Sequence, residues 1–214
     1  LINEGVRERL GGHNSAELLL LSVNFAPIEE MQRRGAWDEA AEVLVEAAEA
    51  CVAAGAEELL LCTNTMHVVA DHIEAAVSAP LLHIADATGA AIRDRRLGRV
   101  GLLGTRFTME QPFYRRRLEE RFGLEAIIPE ERDRSELHQI IYEELVHGVI
   151  SPASKRRYLE IMDRLAAEGA EGFILGCTEI GMLIRQQDHQ LPVFDTTELH
   201  AAAAVERCCM PRSD

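Results

Sequence analysis

Short apolar runs alternate with longer amphipathic stretches along the chain. The apolar runs predict buried strands over residues 17–25, 58–62, 81–84, 99–104, 124–128, 171–176 and 191–194. The stretches between them predict helices over residues 1–10, 38–54, 66–76, 86–95, 110–122, 135–147, 151–168 and 197–207, with a further helix starting at residue 179. Strands that alternate with helices in this way predict an α/β fold with parallel sheets and right-handed crossovers.

Glycine and proline mark several of the predicted boundaries. Gly11 and Gly12 end the first helix, and Gly55 ends the alanine-rich helix 38–54. Pro27 interrupts the pattern after the strand 17–25, so residues 31–35 are predicted to form a loop. Ser151 and Pro152 together predict a capped helix start with proline in the first turn.

The chain runs through its pattern twice. The strand that ends before Thr63 corresponds to the strand that ends before Cys177, and residues 118–123 correspond to residues 6–11. The second half opens with a strand and turn at residues 99–105, which have no counterpart ahead of Leu1. We therefore expect two similar α/β lobes, the first lacking its first strand and the following loop.

The repeat also predicts the domain boundaries. Residues 1–97, joined by a C-terminal helix over about residues 196–214, are expected to form the first lobe. Residues 98–195 are expected to form the second lobe. A site built from two similar strand ends then has one wall from each half of the chain.

Composition excludes some partners. The formal net charge is −14, which argues against nucleic acid or an anionic membrane surface, because phosphates require a basic face. No apolar run approaches the ~20 residues of a membrane span, and no signal peptide is visible. These features favour a cytoplasmic protein that acts on a small molecule. They are also compatible with a homodimer.

The five cysteines fit neither a disulfide framework nor a zinc site. Their number is odd and their spacing matches no zinc pattern, so reduced cysteines are expected. His67, Asp71 and His72 could be imagined as metal ligands, but a solvated polar helix face is the favoured interpretation. The chain has no phosphate-binding loop and no GxGxxG motif, so no cofactor is expected.

At its two strand ends the chain resembles the cofactor-independent aspartate/glutamate racemases, most of all the enterobacterial broad-specificity amino-acid racemases. The motifs that carry the likeness are Cys62-Thr-Asn-Thr-Met-His67, His83-Ile-Ala-Asp-Ala-Thr88, Leu103-Gly-Thr105, Gly176-Cys-Thr-Glu-Ile180 and Phe194-Asp-Thr196. The resemblance implies two three-layer α/β domains related by a pseudo-twofold, with the active site in the cleft between them. It also implies racemisation of an amino acid with a cysteine from each half.

The chain departs from that family pattern in two places. Thr63 stands where the first cysteine is usual, and Cys62 lies one position earlier. Neighbours on an extended strand point to opposite sides, so Cys62 is not expected to replace the missing thiol. The resemblance implies that a Thr/Cys pair belongs to a branch that is selective for substrate hand. The second departure is the expected absence of the N-terminal strand and glycine-rich loop.

Racemisation without a cofactor requires two acid/base groups on opposite faces of Cα. We predict Cys177 and Thr63 for these roles. A thiol has a pKa of ~8.5, which a helix N-terminus lowers, and Cys177 precedes a predicted helix. Threonine is a much poorer base, so Thr63 would need help from His67 or from a developing negative charge nearby.

The remaining predicted site residues bind the substrate. Backbone N–H groups at helix starts suit a carboxylate, and side chains at the same turns add donors. Arg33 and the adjacent Gln32 are candidates for a side-chain carboxylate, and Glu179 is a candidate for the ammonium group. The predicted substrate-binding residues are Gln32, Arg33, Asn64, Thr65, Thr105, Thr178 and Glu179.

Two other functions are compatible with these residues. The same scaffold could carry a decarboxylase or isomerase that uses Cys177 alone. The threonine at position 63 and the expected missing strand would also suit a protein that binds an amino acid without turnover. Exchange of the Cα hydrogen with solvent, without release of gas, separates racemisation from both.

Overall fold

The structure, a computed structural model, describes residues 1–210. The chain divides into two compact units. The first comprises Leu1–Leu61, Met66–His83 and the residues from Ala201 on, and the second comprises Cys62–Thr65 and Ile84–His200. Both contain parallel strands and α-helices, so the predicted α/β class is confirmed.

The first unit contains a two-stranded parallel sheet and four complete helices in its described residues. Its elements are α1 (Ile2–Leu10), α2 (Phe25–Arg34), α3 (Trp37–Ala53), β1 (Leu59–Leu60), a 3₁₀ turn at Thr65–Val69, α4 (Ala70–Ala76) and β2 (Leu81–Leu82). Leu59 pairs with Leu81 and Leu60 with Leu82. The buried faces of α2, α3 and α4 form one aliphatic core with β1.

The predicted strand over residues 17–25 is wrong. Residues 17–24 form neither strand nor helix, and Leu18, Leu19, Leu20 and Leu21 are all exposed, Leu20 by 90%. In the internal repeat, this segment occupies the position of an edge strand of the second unit, which pairs with a single neighbouring strand. The described part of the first unit contains no counterpart of that neighbour. Because a strand needs a partner for its backbone hydrogen bonds, the leucine run alone does not form one.

The predicted loop at residues 31–35 is also wrong, because residues 25–34 form the helix α2. Asn24 caps its start by accepting a hydrogen bond from the Ala26 N–H, and Gly35 ends it in the left-handed conformation at φ 69°. Pro27 lies in the first turn, where a helix tolerates the missing N–H. Gln32 and Arg33 therefore lie on a helix.

The second unit has a four-stranded sheet in the order β4-β3-β5-β6, with every pair parallel. The strands are β3 (Arg99–Gly104), β4 (Glu125–Ile127), β5 (Phe173–Gly176) and β6 (Val193–Asp195). The helices are α5 (Ile84–Asp94), α6 (Arg106–Glu110), α7 (Pro112–Phe122), α8 (Glu131–Gln139), α9 (Pro152–Ala167), α10 (Ile180–Leu183) and α11 (Thr196–Cys208), which continues into the first unit. The two central strands, β3 and β5, are almost completely buried.

The division between the units differs from the predicted boundary after residue 97. Helix α5 belongs to the second unit, where it packs against α7. Gly89 allows this contact, since a Cβ there would lie 2.4 Å from the Phe122 ring. Asp86 adds a bidentate ion pair with Arg117 at 2.6 and 2.7 Å. The periodicity of the sequence predicts that α5 is a helix, but it does not predict which helix α5 packs against.

Two predicted helices have different bounds in the structure. The predicted helix 110–122 corresponds to α7, which starts at Pro112, and a separate short helix, α6, precedes it and ends at Glu110. The predicted helix 135–147 starts earlier, as α8, and continues as a π-helical turn over Ile140–Glu144 and a 3₁₀ turn over Leu145–His147. The π-helical turn places Glu144 beside the start of α9, where Ser154 donates to its carboxylate at 2.6 Å.

Helix α9 is held firmly against α8. Ser151 caps its start by accepting from the Ser154 N–H, with Pro152 in the first turn as predicted. The carboxylate of Asp133 on α8, which is 2% exposed, forms ion pairs with Arg157 and Arg164 of α9. Two guanidinium groups on one buried carboxylate satisfy its oxygens and fix the position of the helix.

Candidate functional site

The carboxyl ends of β3 and β5 meet at a pair of glycines. Gly104 pairs with Gly176 in the parallel register. A Cβ on Gly104 would lie 2.8 Å from the Gly176 carbonyl oxygen, closer than real Cβ contacts allow. Glycine at this position therefore lets the two strand ends approach each other, and Thr105 and Cys177 follow directly at the same edge of the sheet.

The segment that contains Thr63 is anchored at this edge. The Asn64 Nδ2 donates to Thr196 Oγ1 at 2.9 Å, and that hydroxyl donates to the carbonyl oxygen of Leu175 at 2.8 Å. Asn64 and Thr196 are both buried, whereas Thr63 is half-buried and Cys62 is exposed. The bonds explain why Cys62–Thr65 belongs to the second unit, although β1 just before it belongs to the first.

Three buried threonine hydroxyls form a cluster beside this anchor. Thr65 Oγ1 lies 2.9 Å from Thr105 Oγ1 and 3.2 Å from Thr108 Oγ1, and the last two are 3.2 Å apart. Thr105 also caps α6 by accepting from the Thr108 N–H. Thr108 is not among the residues predicted from the sequence, although its spacing three residues after a threonine cap marks the third position of a helix. The cluster concentrates hydroxyl donors at the ends of the strands.

Cys177 and its two neighbours form a second hydrogen-bonded group. The Cys177 thiol donates to Glu179 Oε2 at 2.9 Å, and the Thr178 hydroxyl donates to the same oxygen at 2.8 Å. All three residues are half-buried. Glu179 is therefore an acceptor for the thiol proton, a role that the sequence analysis did not assign to it.

The expectation that a helix lowers the pKa of Cys177 is wrong. Burial and the adjacent carboxylate of Glu179 raise the pKa of the thiol well above its ordinary value. The following helix, α10, has four residues, so its dipole is too small to offset these effects. Cys177 is consequently a neutral thiol at neutral pH, and it becomes a base only when its proton passes to another group.

Asn64 provides a buried acceptor that no described residue uses. Its Oδ1 has no hydrogen-bond partner within residues 1–210, whereas its Nδ2 is bonded to Thr196. A buried carbonyl oxygen without a donor costs free energy, about 1–3 kcal/mol. An ammonium or N–H group of a ligand would satisfy it.

Gln32 and Arg33, the other predicted substrate ligands, lie in the first unit. Gln32 is buried, and its Nε2 lies 3.0 Å from the sulfur of Met66. Arg33 is exposed and forms an ion pair with Glu30, whose carboxylate raises the pKa of the guanidinium. Their role in substrate binding stays a prediction.

His67, the histidine that the sequence suggested as help for Thr63, is buried in the first unit beside His83. The rings of His67 and His83 are in contact, with their centroids 4.2 Å apart and their planes tilted by 58°, and both residues are buried. Among the described residues, no group of three or more histidine, cysteine, aspartate or glutamate side chains is arranged to hold a metal ion. No described helix has the length and apolar character that crossing a bilayer requires.

Removing the Glu179 carboxylate is expected to make Cys177 easier to ionise. In Glu179→Gln the negative charge beside the thiol disappears, so the pKa of Cys177 falls and more thiolate is present at any pH below that pKa. We expect alkylation of Cys177 by iodoacetamide to be about tenfold faster near pH 8. Mass spectrometry of the Cys177 peptide measures this rate, with the exposed Cys62 as the internal reference. A slower or unchanged rate would contradict the assigned effect of Glu179.

Known proteins resemble this chain over nearly its full length. The sequence model described as Asp/Glu/Hydantoin racemase matches residues 1–204. The broad specificity amino-acid racemase RacX from Bacillus subtilis is 23% identical over 175 residues, covering 78% of this chain and 72% of RacX.

Two solved structures are similar in both sequence and fold. An Asp/Glu racemase candidate from Yersinia pestis is 50% identical with a TM-score of 0.90, covering 98% of this chain and 91% of that chain. An aspartate racemase homologue from Pyrococcus horikoshii is 36% identical with a TM-score of 0.83, and the covered shares are again 98% and 91%. The predicted resemblance and the parallel α/β fold are thereby confirmed.

Proposed function

Because the chain belongs to the Asp/Glu/hydantoin racemase family, we propose that it interconverts the L and D forms of aspartate, glutamate or a related amino acid. The proposed chemistry is cofactor-independent two-base proton transfer at Cα. The observation that carries the proposal is the Cys177–Glu179 pair, a thiol with its own proton acceptor at the end of a central strand. Family membership supports racemase chemistry, and the substrate is our proposal.

Cys177 acts as the base for one hand of the substrate. Its thiol proton passes to Glu179, which leaves a thiolate and a neutral carboxylic acid and keeps the net charge of the pair at −1. The thiolate then takes the Cα proton, and the electron pair of the broken C–H bond delocalises into the substrate carboxylate. In the reverse direction the Cys177 thiol returns a proton to the same face.

Thr63 serves the opposite face in this proposal. Its hydroxyl donates a proton to the carbanion as the Cys177 thiolate removes one. The alkoxide that remains then takes a proton from water, and the neutral Glu179 carboxylic acid gives its proton to water, so both groups return to their starting states. The hydrogen bonds of Asn64 and Thr65 hold the segment in place. Since a hydroxyl is far less acidic than a thiol, the step in which Thr63 acts as base should be the slower one.

The remaining polar groups suit an amino-acid ligand. The hydroxyls of Thr65 and Thr105 supply donors for the α-carboxylate, whose charge increases as the proton leaves. Thr178, which the sequence also predicts as a ligand, donates to Glu179 instead. The free Oδ1 of Asn64 supplies an acceptor for the ammonium group. The sequence predicts that Glu179 binds the ammonium group. Because its carboxylate already accepts the hydrogen bond of the thiol, we assign the ammonium contact to Asn64 instead.

The direct test is exchange of the Cα hydrogen in deuterium oxide, followed by NMR for each hand of aspartate, glutamate and homoserine. Racemisation predicts deuterium at Cα in both hands without release of carbon dioxide. Gas release would favour the decarboxylase, and binding without exchange would favour the non-catalytic alternative. Neither outcome is compatible with the proposal.

Replacing Thr63 with cysteine should speed the slower half of the reaction. In Thr63→Cys a thiol replaces a hydroxyl of similar size, so the second base ionises more readily. We expect deuterium exchange from the hand that faces residue 63 to rise by at least tenfold. Exchange from the other hand should change less, because its first step uses Cys177. Exchange rates that are unchanged for both hands would exclude Thr63 as the second acid/base group.

A further inference from the structure

The hydroxyl of Thr196 joins two segments of the candidate site. Thr196 is 0% exposed, and its Oγ1 donates to the Leu175 carbonyl oxygen at 2.8 Å while it accepts from Asn64 Nδ2 at 2.9 Å. Leu175 lies on β5 two residues before Cys177, and Asn64 directly follows Thr63. A single buried hydroxyl therefore holds the Thr63 segment against the strand that leads to Cys177.

Thr196 is itself held in place by the turn that joins β6 to α11. Asp195, the last residue of β6, caps the helix, because its Oδ1 accepts from the Thr197 N–H at 2.8 Å and from the Glu198 N–H at 3.3 Å. These bonds fix the first turn of α11, in which Thr196 is the first residue. Since a β-branched side chain has restricted χ1 freedom, the hydroxyl stays directed at its two partners.

The Leu175 carbonyl determines the direction of both hydrogen bonds. A carbonyl oxygen only accepts, so the single hydroxyl hydrogen of Thr196 is used toward Leu175. Toward Asn64 the hydroxyl then offers a lone pair, and only the NH₂ side of the amide can donate to it. If the amide were turned by half a rotation, two oxygen atoms would face each other with no hydrogen between them. The Asn64 amide is therefore held with its oxygen directed away from Thr196.

The amide oxygen is the part of the Asn64 side chain that remains for a ligand. Asn64 is 3% exposed, and its Oδ1 has no hydrogen-bond partner in the described part of the chain. The anchored segment lies at the carboxyl end of β5, and parallel α/β sheets bind their ligands at such ends. An ammonium group can donate to this oxygen, whereas the keto oxygen of a 2-oxo acid can only accept. The arrangement thus distinguishes a donor from an acceptor.

We propose that Thr196 is a positioning residue that makes the site selective for amino acids over the corresponding 2-oxo acids. It does so by locking the Asn64 amide with its oxygen toward the ligand. The inference deepens the proposed racemase function and rests on it for the identity of the ligand. The lock on the amide can be measured without any ligand.

The test compares Thr196→Val, which removes the hydroxyl and keeps the shape, with Thr196→Ser, which keeps the hydroxyl. Isothermal titration calorimetry measures the affinity for each hand of aspartate and glutamate, and for oxaloacetate and 2-oxoglutarate. In the parent protein we expect an amino acid to bind about 10²-fold more tightly than its 2-oxo acid, because the latter leaves a buried acceptor unpaired. In Thr196→Val the amide can turn and donate to a keto oxygen, so this ratio should fall to about tenfold or less. Thr196→Ser should keep the ratio of the parent.

A general loosening of the site would give a different result. It would weaken both kinds of ligand together and leave their ratio unchanged in Thr196→Val, which would overturn the proposal. Thr88→Val is the matched control, since Thr88 is also 0% exposed, donates to the Ile84 carbonyl and accepts from Tyr114. This control should keep the ratio of the parent. If Thr196→Val does not fold, the parent protein alone can still overturn the proposal by binding a 2-oxo acid as tightly as the amino acid, and Thr196→Ala takes the place of the valine variant.

The lock has its own measurement in the side-chain amide of Asn64. The chain has four asparagines, and the other three, Asn3, Asn14 and Asn24, are exposed. After labelling with nitrogen-15 asparagine, the NH₂ signals that disappear in Asn64→Asp identify Asn64 by NMR. Their hydrogens should exchange with solvent about tenfold faster in Thr196→Val than in the parent, because the hydrogen bond to the hydroxyl is lost. Equal exchange in the two proteins would show that Thr196 does not hold the amide and would overturn the proposal.

The two measurements separate this inference from the proposed function. If the Asn64 amide responds to Thr196→Val but no amino acid binds or exchanges its Cα hydrogen, the racemase proposal fails and the lock stands. If amino acids exchange their Cα hydrogen while the affinity ratio does not respond to Thr196→Val, only the inference fails.

Discussion

Replacing Cys177 with alanine is expected to abolish racemisation in both directions, with a loss of about 10³-fold or more. In the proposed mechanism each direction of turnover uses this residue, once as the base that takes the Cα proton and once as the acid that returns it. The substitution removes a single sulfur atom from a half-buried side chain, so the fold should survive. Circular dichroism checks the fold, and chiral chromatography of the products measures both directions.

Two further variants test whether the loss of activity is specific to the thiol of Cys177. Cys62→Ala removes the exposed thiol next to Thr63. This thiol has no role in the proposed chemistry, so the variant should retain most of the activity. Cys177→Ser keeps a protonated group of similar size but one that ionises far less readily, so it should be nearly as inactive as the alanine variant. A folded Cys177→Ala protein with more than a few per cent of the parent rate would remove Cys177 from the mechanism.

Local pattern is sufficient to predict the elements of the second unit that carry the candidate site. The strands β3 and β5 are continuous apolar runs that are buried on both faces, and such runs stand out in the sequence. The start of α9 is encoded by Ser151 and Pro152, which act within one turn. These predictions succeeded because each depends on residues that are neighbours along the chain.

The wrong predictions concern features that depend on distant residues. The leucine run at residues 17–24 has the composition of a strand, but strand formation requires a partner elsewhere. Pro27 was interpreted as a break, although the cap at Asn24 makes it part of a first helical turn. Helix α5 was correctly predicted as a helix, yet its unit is decided by contacts with α7.

The same limit applies to the site. Cys177, Thr178 and Glu179 are adjacent, so sequence identified the group, but the turn that directs Glu179 back to the thiol reverses the expected direction of the pKa. Thr108 comes from another element and reaches the threonine cluster only through tertiary packing. Sequence motifs thus name the candidate residues, whereas their hydrogen-bond partners are visible only in the structure.

Adding a single methyl group at Gly104 is expected to impair both stability and turnover. In Gly104→Ala the new Cβ would lie 2.8 Å from the Gly176 carbonyl oxygen and 3.3 Å from the Thr108 Cβ. Backbone atoms on the adjacent strand cannot rotate away, so β3 and β5 must separate at their carboxyl ends. We expect a loss of about 1–3 kcal/mol in the free energy of unfolding, the usual cost of overpacking a core.

Turnover should fall further than stability alone explains. Thr105 follows Gly104, and Cys177 follows Gly176, so separating the strands moves the hydroxyl cluster away from the thiol. A displacement of about 1 Å in a catalytic group can reduce the rate by about 10²-fold. Gly98→Ala is the control at the start of the same strand, because its Cβ would lie 3.8 Å from the nearest atom, a carboxylate oxygen of Glu171. Urea unfolding and the deuterium exchange assay measure the two effects. If Gly104→Ala matches Gly98→Ala in both, the close approach of the two glycines does not position the site.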